Sequence, residues 1–414
     1  MNHSPKTAAE TQRPAGDPPG VAARRAALRL LDAVLRKGLP LDARLEGITR
    51  VLDKTEDRAL AHAIAAEVLR HLHDLDALID RATQMKLADD AKARAVLRIA
   101  LAQALRLRVP SHAAIATALP LVEGGPRRLV HGVFGTVMRQ GWTLPEPPSL
   151  PPEVEQRWRE AWGDETVTAA ARLAATPPPV DLAFAAGVPP TLEGVSLLPG
   201  HLRMPRGAHV PDLEGYAGGG WWVQDIAASL PARMLGAGDG RSVLDLCAAP
   251  GGKTMQLAAA GWRVTAVDSS ESRLARLSEN LERTGLAAEV VAADLMAWTP
   301  PAPVDAILLD APCSATGTFR RHPDVLHRVR PRAIAELAVQ QQAMLRRAAD
   351  WLKPGGSLVY AVCSLEREEG EAVADAFLAA RPDFALAEQR CLLPGEWLDQ
   401  GGADSFFIAR FQRR

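Results

Sequence analysis

The chain has 414 residues, room for roughly two to four domains, and with 47% hydrophobic and 23% charged residues it is neither fibrous nor wholly disordered. Forty-eight Lys plus Arg against 49 Asp plus Glu leave a formal net charge of -1, which excludes a global basic field, so any nucleic-acid contact must come from a local patch. The four cysteines, Cys247, Cys313, Cys363 and Cys391, form no CxxC pair and no dense framework, which points to free thiols in a reducing compartment.

In chain order, "MNHSPKTAAETQRPAGDPPG" lacks the apolar core of a signal peptide and reads as a disordered tail over 1–20. No apolar run reaches the ~18 residues of a membrane span, so a cytoplasmic protein with no membrane partner is expected. From Val21 to Trp142, apolar residues recur at three and four in "RRAALRLLDAVLRKG", "DRALAHAIAAEVLRHLHDLDALIDRA", "ARAVLRIALAQALRLRV" and "RRLVHGVFGTVMRQG". That period predicts an all-α domain over 21–142. The five prolines of "TLPEPPSLPPE" predict a stiff linker, 143–152. A helical piece and the brief β-like runs "VDLAFAA" and "VSLLPG" then predict a small α+β domain over 153–220, whose role the spacing does not disclose.

From Trp221 to Arg414, apolar β-runs alternate with helices, the pattern of a parallel sheet covered on both faces in an α/β, Rossmann-like domain. Strands are predicted at "SVLDLCA", "RVTAVD", "AEVVAAD", "DAILLDAP" and "GSLVYAVCS", and a late antiparallel strand in "DSFFIARFQRR". Helices are predicted at "SRLARLSENLERTG" and "IAELAVQQQAMLRRAADWLK".

The candidate chemistry collects at the strand ends. "DLCAAPGGKT" is a tight turn opening a helix, where Gly251 and Gly252 let a ligand approach the backbone and helix N–H groups face an anionic group. A P-loop fits poorly because Cys247 stands where its first Gly is needed, no GxGxxG is present, and a generic turn is the competing reading. Asp268 and Asp294 end the second and third strands. Either alone reads as a cap or a solvated turn, but Asp268 is also placed to hold a ribose diol. Cys313 and Cys363 follow the fourth and fifth strands, so two thiols are expected at neighbouring strand ends beside that nucleoside site. A buried apolar thiol or a disulfide are the competing readings. Lys253, one of seven lysines beside 41 arginines, reads as a site ammonium rather than a solvated charge.

"DLCAAPGGKT", "DAPCSATG" and "YAVCSLEREEGE" resemble, in order, the nucleotide-site, Pro-Cys and catalytic-Cys motifs of RNA cytosine-C5 methyltransferases that use S-adenosylmethionine. "VQD", "RLARLSENLERTGL" and "SFFIAR" are similar to further segments of that family, and "VLRIALAQALRLRVPSHAAI" resembles the NusB-type RNA-binding domain. The pairing resembles the Fmu/Sun subfamily, which acts on 16S rRNA. The resemblance implies that Cys363 is the nucleophile adding to C6 and that Cys313 assists proton removal or release. It implies further that Asp310 faces the cofactor and the target base. Cys247, Ala248, Ala249, Pro250, Gly251, Gly252 and Lys253 would surround the methionyl end of S-adenosylmethionine, with Asp268 at the ribose and Asp294 at the adenine side. A tRNA cytosine and a non-catalytic assembly role are the alternatives, and a monomer is expected. The sequence departs from the family pattern at Val362, Arg367 and Gly370, and has "DSFF" for "DGFF". "TGTFRRHPDVLHRVRPR", Thr316 to Arg332, holds five arginines against Asp324 and is expected to meet RNA phosphates beside the target.

Overall fold

The computed structural model describes residues 18–184, 192–205, 207 and 209–414, so the first 17 residues of the expected tail lie outside it. The chain divides into two compact units, Met1–Leu144 and Pro145–Arg414.

Among the described residues of the first unit the α-helices are α1 (Val21–Leu35), α2 (Leu41–Thr49), α3 (Thr55–Arg70), α4 (Leu72–Arg81), α5 (Lys92–Leu105), α6 (Ser111–Ala118) and α7 (Gly124–Gln140). In α1 the apolar stripe Ala23, Ala27, Leu30 and Val34 is fully buried, which is the spacing the sequence presents. In α5 every residue from Ala93 to Gln103 except Ala95 is buried, marking the central helix. Its cations are matched inside: Arg94 meets Asp76 and Asp80, and Arg98 forks onto Asp76 at 2.8 and 2.7 Å.

The second unit begins with α8 (Pro152–Trp162) and α9 (Asp164–Ala174), then β1 (Asp181–Phe184), β2 (His201–Arg203) and β3 (Trp221–Val223). These strands form an antiparallel sheet in the order β2-β1-β3. The expected boundary after Gly220 therefore falls inside one sheet. Buried Asp181 receives Arg203 at 2.7 and 2.8 Å and the Ile226 N–H at 3.1 Å, so the small sheet is bolted to the helix that follows it.

That helix is α10 (Ile226–Arg233), followed by β4 (Ser242–Leu246), α11 (Gly252–Ala259), β5 (Arg263–Asp268), α12 (Glu271–Thr284), β6 (Glu289–Ala292) and β7 (Val304–Asp310). Then come α13 (Val325–Arg328), α14 (Pro331–Ala349), β8 (Leu352–Val362), α15 (Glu371–Ala380), β9 (Phe384–Leu392) and β10 (Phe406–Arg413). The sheet order is β6-β5-β4-β7-β8-β10-β9. Strands β4 to β8 run parallel, while β10 is antiparallel to both β8 and β9. The chain starts in the middle at β4, winds outward through β5 and β6, and returns to β7 on the other side. The strand order thus reverses at β4, which opens a crevice between the loops after β4 and β7, where ligands of open α/β sheets bind.

Strand β9, "FALAEQRCL", was not expected from the sequence. It is an edge strand exposed from Leu386 to Gln389 between buried ends, and Glu388 and Arg390 guard the edge and break the apolar pattern. Among the described residues no helix is long and apolar enough to cross a membrane.

Candidate active site

The apolar run of β4 stops at Leu246, and Cys247 turns the chain with a φ of 62°. Gly251, at φ 103°, completes the turn and opens α11; a side chain there would strike Leu277 at 2.9 Å. Ala248 and Ala249 are buried, Gly252 half-buried and Pro250 exposed. Burial pushes the Cys247 thiol up to about 12, helped by the charges of Asp310, Asp268 and Asp245. Cys247 is therefore a neutral wall of the turn, and the turn lies in a negative field.

Asp268, at the end of β5, is 4% exposed and accepts the Ala249 N–H at 3.1 Å and the Ser270 N–H at 2.9 Å. It thereby fixes the height of the turn above the sheet. Asp294 is exposed and accepts the Met296 N–H at 2.9 Å. Asp310, at the end of β7, receives the Lys253 ammonium at 2.8 Å. Burial opposes the charge on Lys253, but Asp310 overcomes it and raises the pKa, with the nearby Cys363 and Asp245 acting in the same sense. The Phe406 ring, 5.3 Å from the ammonium, closes the other side.

Beneath this pair lies Asp245. It is fully buried, Thr254 donates to its Oδ2 at 2.6 Å, and its Oδ1 has no partner among the described residues. Burial pushes its carboxyl up to about 7, against the Thr254 hydrogen bond and Lys253. A carboxyl of the unfolded chain titrates near ~4, so the folded state holds this proton more tightly and stability falls as pH rises from about 4 to about 7. Asp245→Asn is expected to lose that component: its melting temperature should drop less between pH 5 and pH 8 than that of the wild type. Parallel curves for the two proteins would show that Asp245 does not titrate in this range.

The loops after β7 and β8 bring Cys313 and Cys363 together, with Sγ to Sγ 3.4 Å, although 50 residues separate them in sequence. They are free thiols, both half-buried. Cys313 is pushed well above the ordinary thiol value by its hydrogen bond to Cys363, by burial and by Glu369. Either sulfur can donate in this contact, and the raised pKa of Cys313 favours its thiol form. Gly317 locks the two loops, donating to the Cys363 carbonyl at 3.0 Å and accepting from Ser405 at 2.9 Å. A Cβ on Gly317 would lie 2.1 Å from the Ser405 carbonyl oxygen.

Helix α8 supports the same loop. Arg157 forks onto Glu366 at 2.7 and 3.0 Å, the Trp158 indole donates to Glu366 at 3.2 Å, and the Trp162 indole donates to the Leu365 carbonyl at 2.8 Å. Arg367, one departure from the family pattern, stacks 4.5 Å above Trp162. Gly370, another, lies against the Phe407 ring, which a Cβ would meet at 2.9 Å. Val362 is fully buried in the core. The helix pair α8 and α9 thus buttresses the segment after Cys363, a task with no signature in its own sequence.

The expected arginine patch is corrected in part. Arg320 is 1% exposed and is held by Asp404 at 2.8 Å, by the Gly401 carbonyl at 2.8 Å and by Asp225. Arg321 joins the same two carboxylates, and Arg328 pairs with Asp324 at 2.8 Å. The two acids thus hold Arg320 buried and Arg321 half-buried, so the exposed guanidinium groups of this stretch are those of Arg330 and Arg332.

A cavity of about 380 Å³ joins Gln224, Asp225, Ala249, Lys253, Asp310 and Arg321. Asp268, Asp294, Cys313 and Cys363 do not line it. A larger cavity of about 780 Å³ lies in the helical unit, and no predicted site residue lines that one. Among the described residues no cluster of His, Cys, Asp and Glu is suited to a metal ion.

The 16S rRNA methyltransferase RsmB/F family matches residues 232–412, and the NusB family matches residues 21–138. The ribosomal RNA small subunit methyltransferase B of Klebsiella pneumoniae is 35% identical, with 94% of this chain and 98% of that protein covered. Its namesake in Xylella fastidiosa is also 35% identical over the same shares. Among solved structures, PH0851 superposes with a TM-score of 0.72 at 22% identity over 96% of this chain and all of that one. NSun6 from Pyrococcus horikoshii gives 0.56 at 19% identity, covering 64% of this chain and 98% of that one, so both share the fold. The crevice at β4 therefore belongs to a methyltransferase domain, and the chain is a member of the RsmB/F family of S-adenosylmethionine-dependent 16S rRNA methyltransferases, carrying a NusB domain ahead of its catalytic fold.

Proposed function

We propose that the protein methylates C5 of a cytosine in 16S rRNA through a covalent bond between Cys363 and C6 of the base. The observation that carries this reading is the contact of the two thiols, 3.4 Å apart at neighbouring strand ends beside the β4 crevice. A methyltransferase acting on an already nucleophilic oxygen or nitrogen has no use for such a pair, whereas C5 of cytosine must be activated by addition at C6.

The β4 loop suits the cofactor's zwitterionic end. N–H groups at the start of α11 fit its carboxylate, and the field of Asp245, Asp268 and Asp310 favours its amino and sulfonium charges while disfavouring a phosphate chain. Cys247 to Lys253 would hold the methionyl part, Asp268 the ribose hydroxyls and Asp294 the adenine side. When bound, S-adenosylmethionine supplies an electrophilic methyl group and leaves as S-adenosylhomocysteine.

The chain's own groups do the rest. Cys363, as the thiolate facing the Lys253 ammonium, forms the S–C6 bond, and the electrons of the C5–C6 double bond become available at C5. Asp310, held by Lys253, is positioned to accept from the cytosine amino group and fix the ring. After methylation Cys313 passes its proton to the departing Cys363 sulfur as the S–C6 bond breaks, and its thiolate takes the C5 proton. The pair then holds one proton more than at the start and loses it to water. Arg330 and Arg332 are available for RNA phosphates, and the base must leave its stack to reach Cys363.

The test offers the protein an rRNA fragment whose cytosines carry fluorine at C5, together with S-adenosylmethionine. Fluorine blocks proton removal, so an adduct that survives denaturation is expected with the wild type and not with Cys363→Ala. Methyl transfer to unfluorinated RNA without any trapped adduct would sink the covalent reading.

A further inference from the structure

Glu369 is fully buried in the loop after β8, and no role in the chemistry above is assigned to it. Its Oε1 accepts the Ser314 N–H at 2.8 Å and the Gln341 amide at 2.9 Å, and its Oε2 accepts the hydroxyls of Ser314 and of Ser364, the latter at 2.6 Å. Four donors converge on two oxygens, which is the pattern of an acceptor-only, ionised carboxylate. Its backbone is pinned as well, because the Tyr360 hydroxyl donates to the Glu369 carbonyl at 2.6 Å. Ser314 directly follows Cys313 and Ser364 directly follows Cys363. One side chain therefore grips both cysteine-bearing loops at the residue next to each sulfur.

We propose that Glu369 is the positioning residue of the thiol pair, clamping the two loops so that the sulfurs touch and setting a fixed negative charge beside Cys313. A neutral clamp of the same shape would hold the loops equally well, so the charge is what separates this role from simple bracing. Other groups around the pair do not supply it. Tyr360 of β8 is itself pushed well above the usual phenol value by burial, then by Cys313 and Glu369, and stays neutral. Lys253, from the first turn of α11, faces Cys363 and is tied to Asp310, α14 contributes the uncharged Gln341, and Glu366 is paired with Arg157. The charge of Glu369 favours the protonated form of Cys313, so that Cys363 is the nucleophile of the pair. The catalytic consequence rests on the covalent reading above, but the charge effect does not.

The experiment is pulse alkylation of the full chain with iodoacetamide across pH, with labelling at each cysteine read by peptide mass spectrometry. Glu369→Gln keeps an oxygen for the Ser314 and Gln341 N–H groups and turns an amide toward hydroxyls that can accept. Its Cys313 is expected to label about tenfold faster than the wild type's at a given pH, an onset about one unit lower. The melting temperature should stay within a few degrees. An unchanged onset would reduce Glu369 to bracing and overturn the proposal. The wild type provides a check that needs no variant: labelling of Cys313 near pH 7.5 at the rate of a free thiol would overturn it too. Neither readout needs RNA or cofactor, so this outcome is separable from that of the fluorinated-RNA test.

Discussion

Cys313→Ala is expected to accumulate protein covalently bound to ordinary, unfluorinated rRNA, while Cys363→Ala forms no adduct and loses turnover altogether. The two side chains are chemically identical and touch, so the difference must come from their surroundings. Cys313 is kept protonated by Cys363, burial and Glu369, whereas Cys363 lies toward the Lys253 ammonium. Removing Cys363 removes bond formation to C6, a loss expected to reach about four orders of magnitude or more in turnover, as for other covalent nucleophiles. Removing Cys313 leaves addition and methylation intact but slows the elimination step, by about 10²–10⁴-fold for the loss of an acid–base partner. Denaturing gels with labelled RNA and single-turnover methyl transfer read the two steps separately. Equal losses in both variants, with no adduct from Cys313→Ala, would show that the thiols act as one unit or that Cys313 is the nucleophile.

The parts of this site that the sequence discloses are those governed by local patterns. Apolar runs such as "DAILLD" and "SLVYAV" announce strands buried on both faces, and strand ends at one sheet edge bring Cys313 and Cys363 together as expected. The Gly-Pro turn after β4 is equally local, because Gly251 must adopt a positive φ. What stays hidden depends on partners far along the chain. Glu366 and Glu369 sit in the acidic run "EREEGE", whose composition does not reveal that both are buried, because Arg157 and Ser314 reach them from other elements. No period in "EVEQRWREAW" reveals that its Trp158 and Trp162 support a loop about two hundred residues away. Strand β9 escapes notice for the opposite reason, since an edge strand with charged residues lacks the apolar signal of its neighbours.

The arginine stretch shows the same limit and leads to the second large effect. Arg320→Ala is expected to destabilise the catalytic unit by about 3–5 kcal/mol, because it strips one guanidinium from two buried carboxylates, Asp225 and Asp404. Burial alone would raise the Asp404 carboxyl, but Arg321 and then Arg320 outweigh it and hold the carboxyl below its ordinary value. Arg321 remains in the variant, yet it is already committed to the same two acids and cannot replace the Arg320 bond to the Gly401 carbonyl. For a unit of this size the loss corresponds to a fall in melting temperature of about 6–20 °C. Asp225 also caps α10 through the Ala227 N–H, so the damage should spread to the helix beside the small sheet. Arg332→Ala provides the contrast. Its side chain is 90% exposed and pairs with Glu336 in its own helix turn, which is worth little to stability. That variant should melt with the wild type and instead lose about one unit from the salt dependence of RNA binding. Thermal melts and binding measured from 50 to 200 mM salt distinguish the two. A stable Arg320→Ala protein with a reduced salt slope would mean that Arg320 turns outward to the RNA and that the buried network forms only without it.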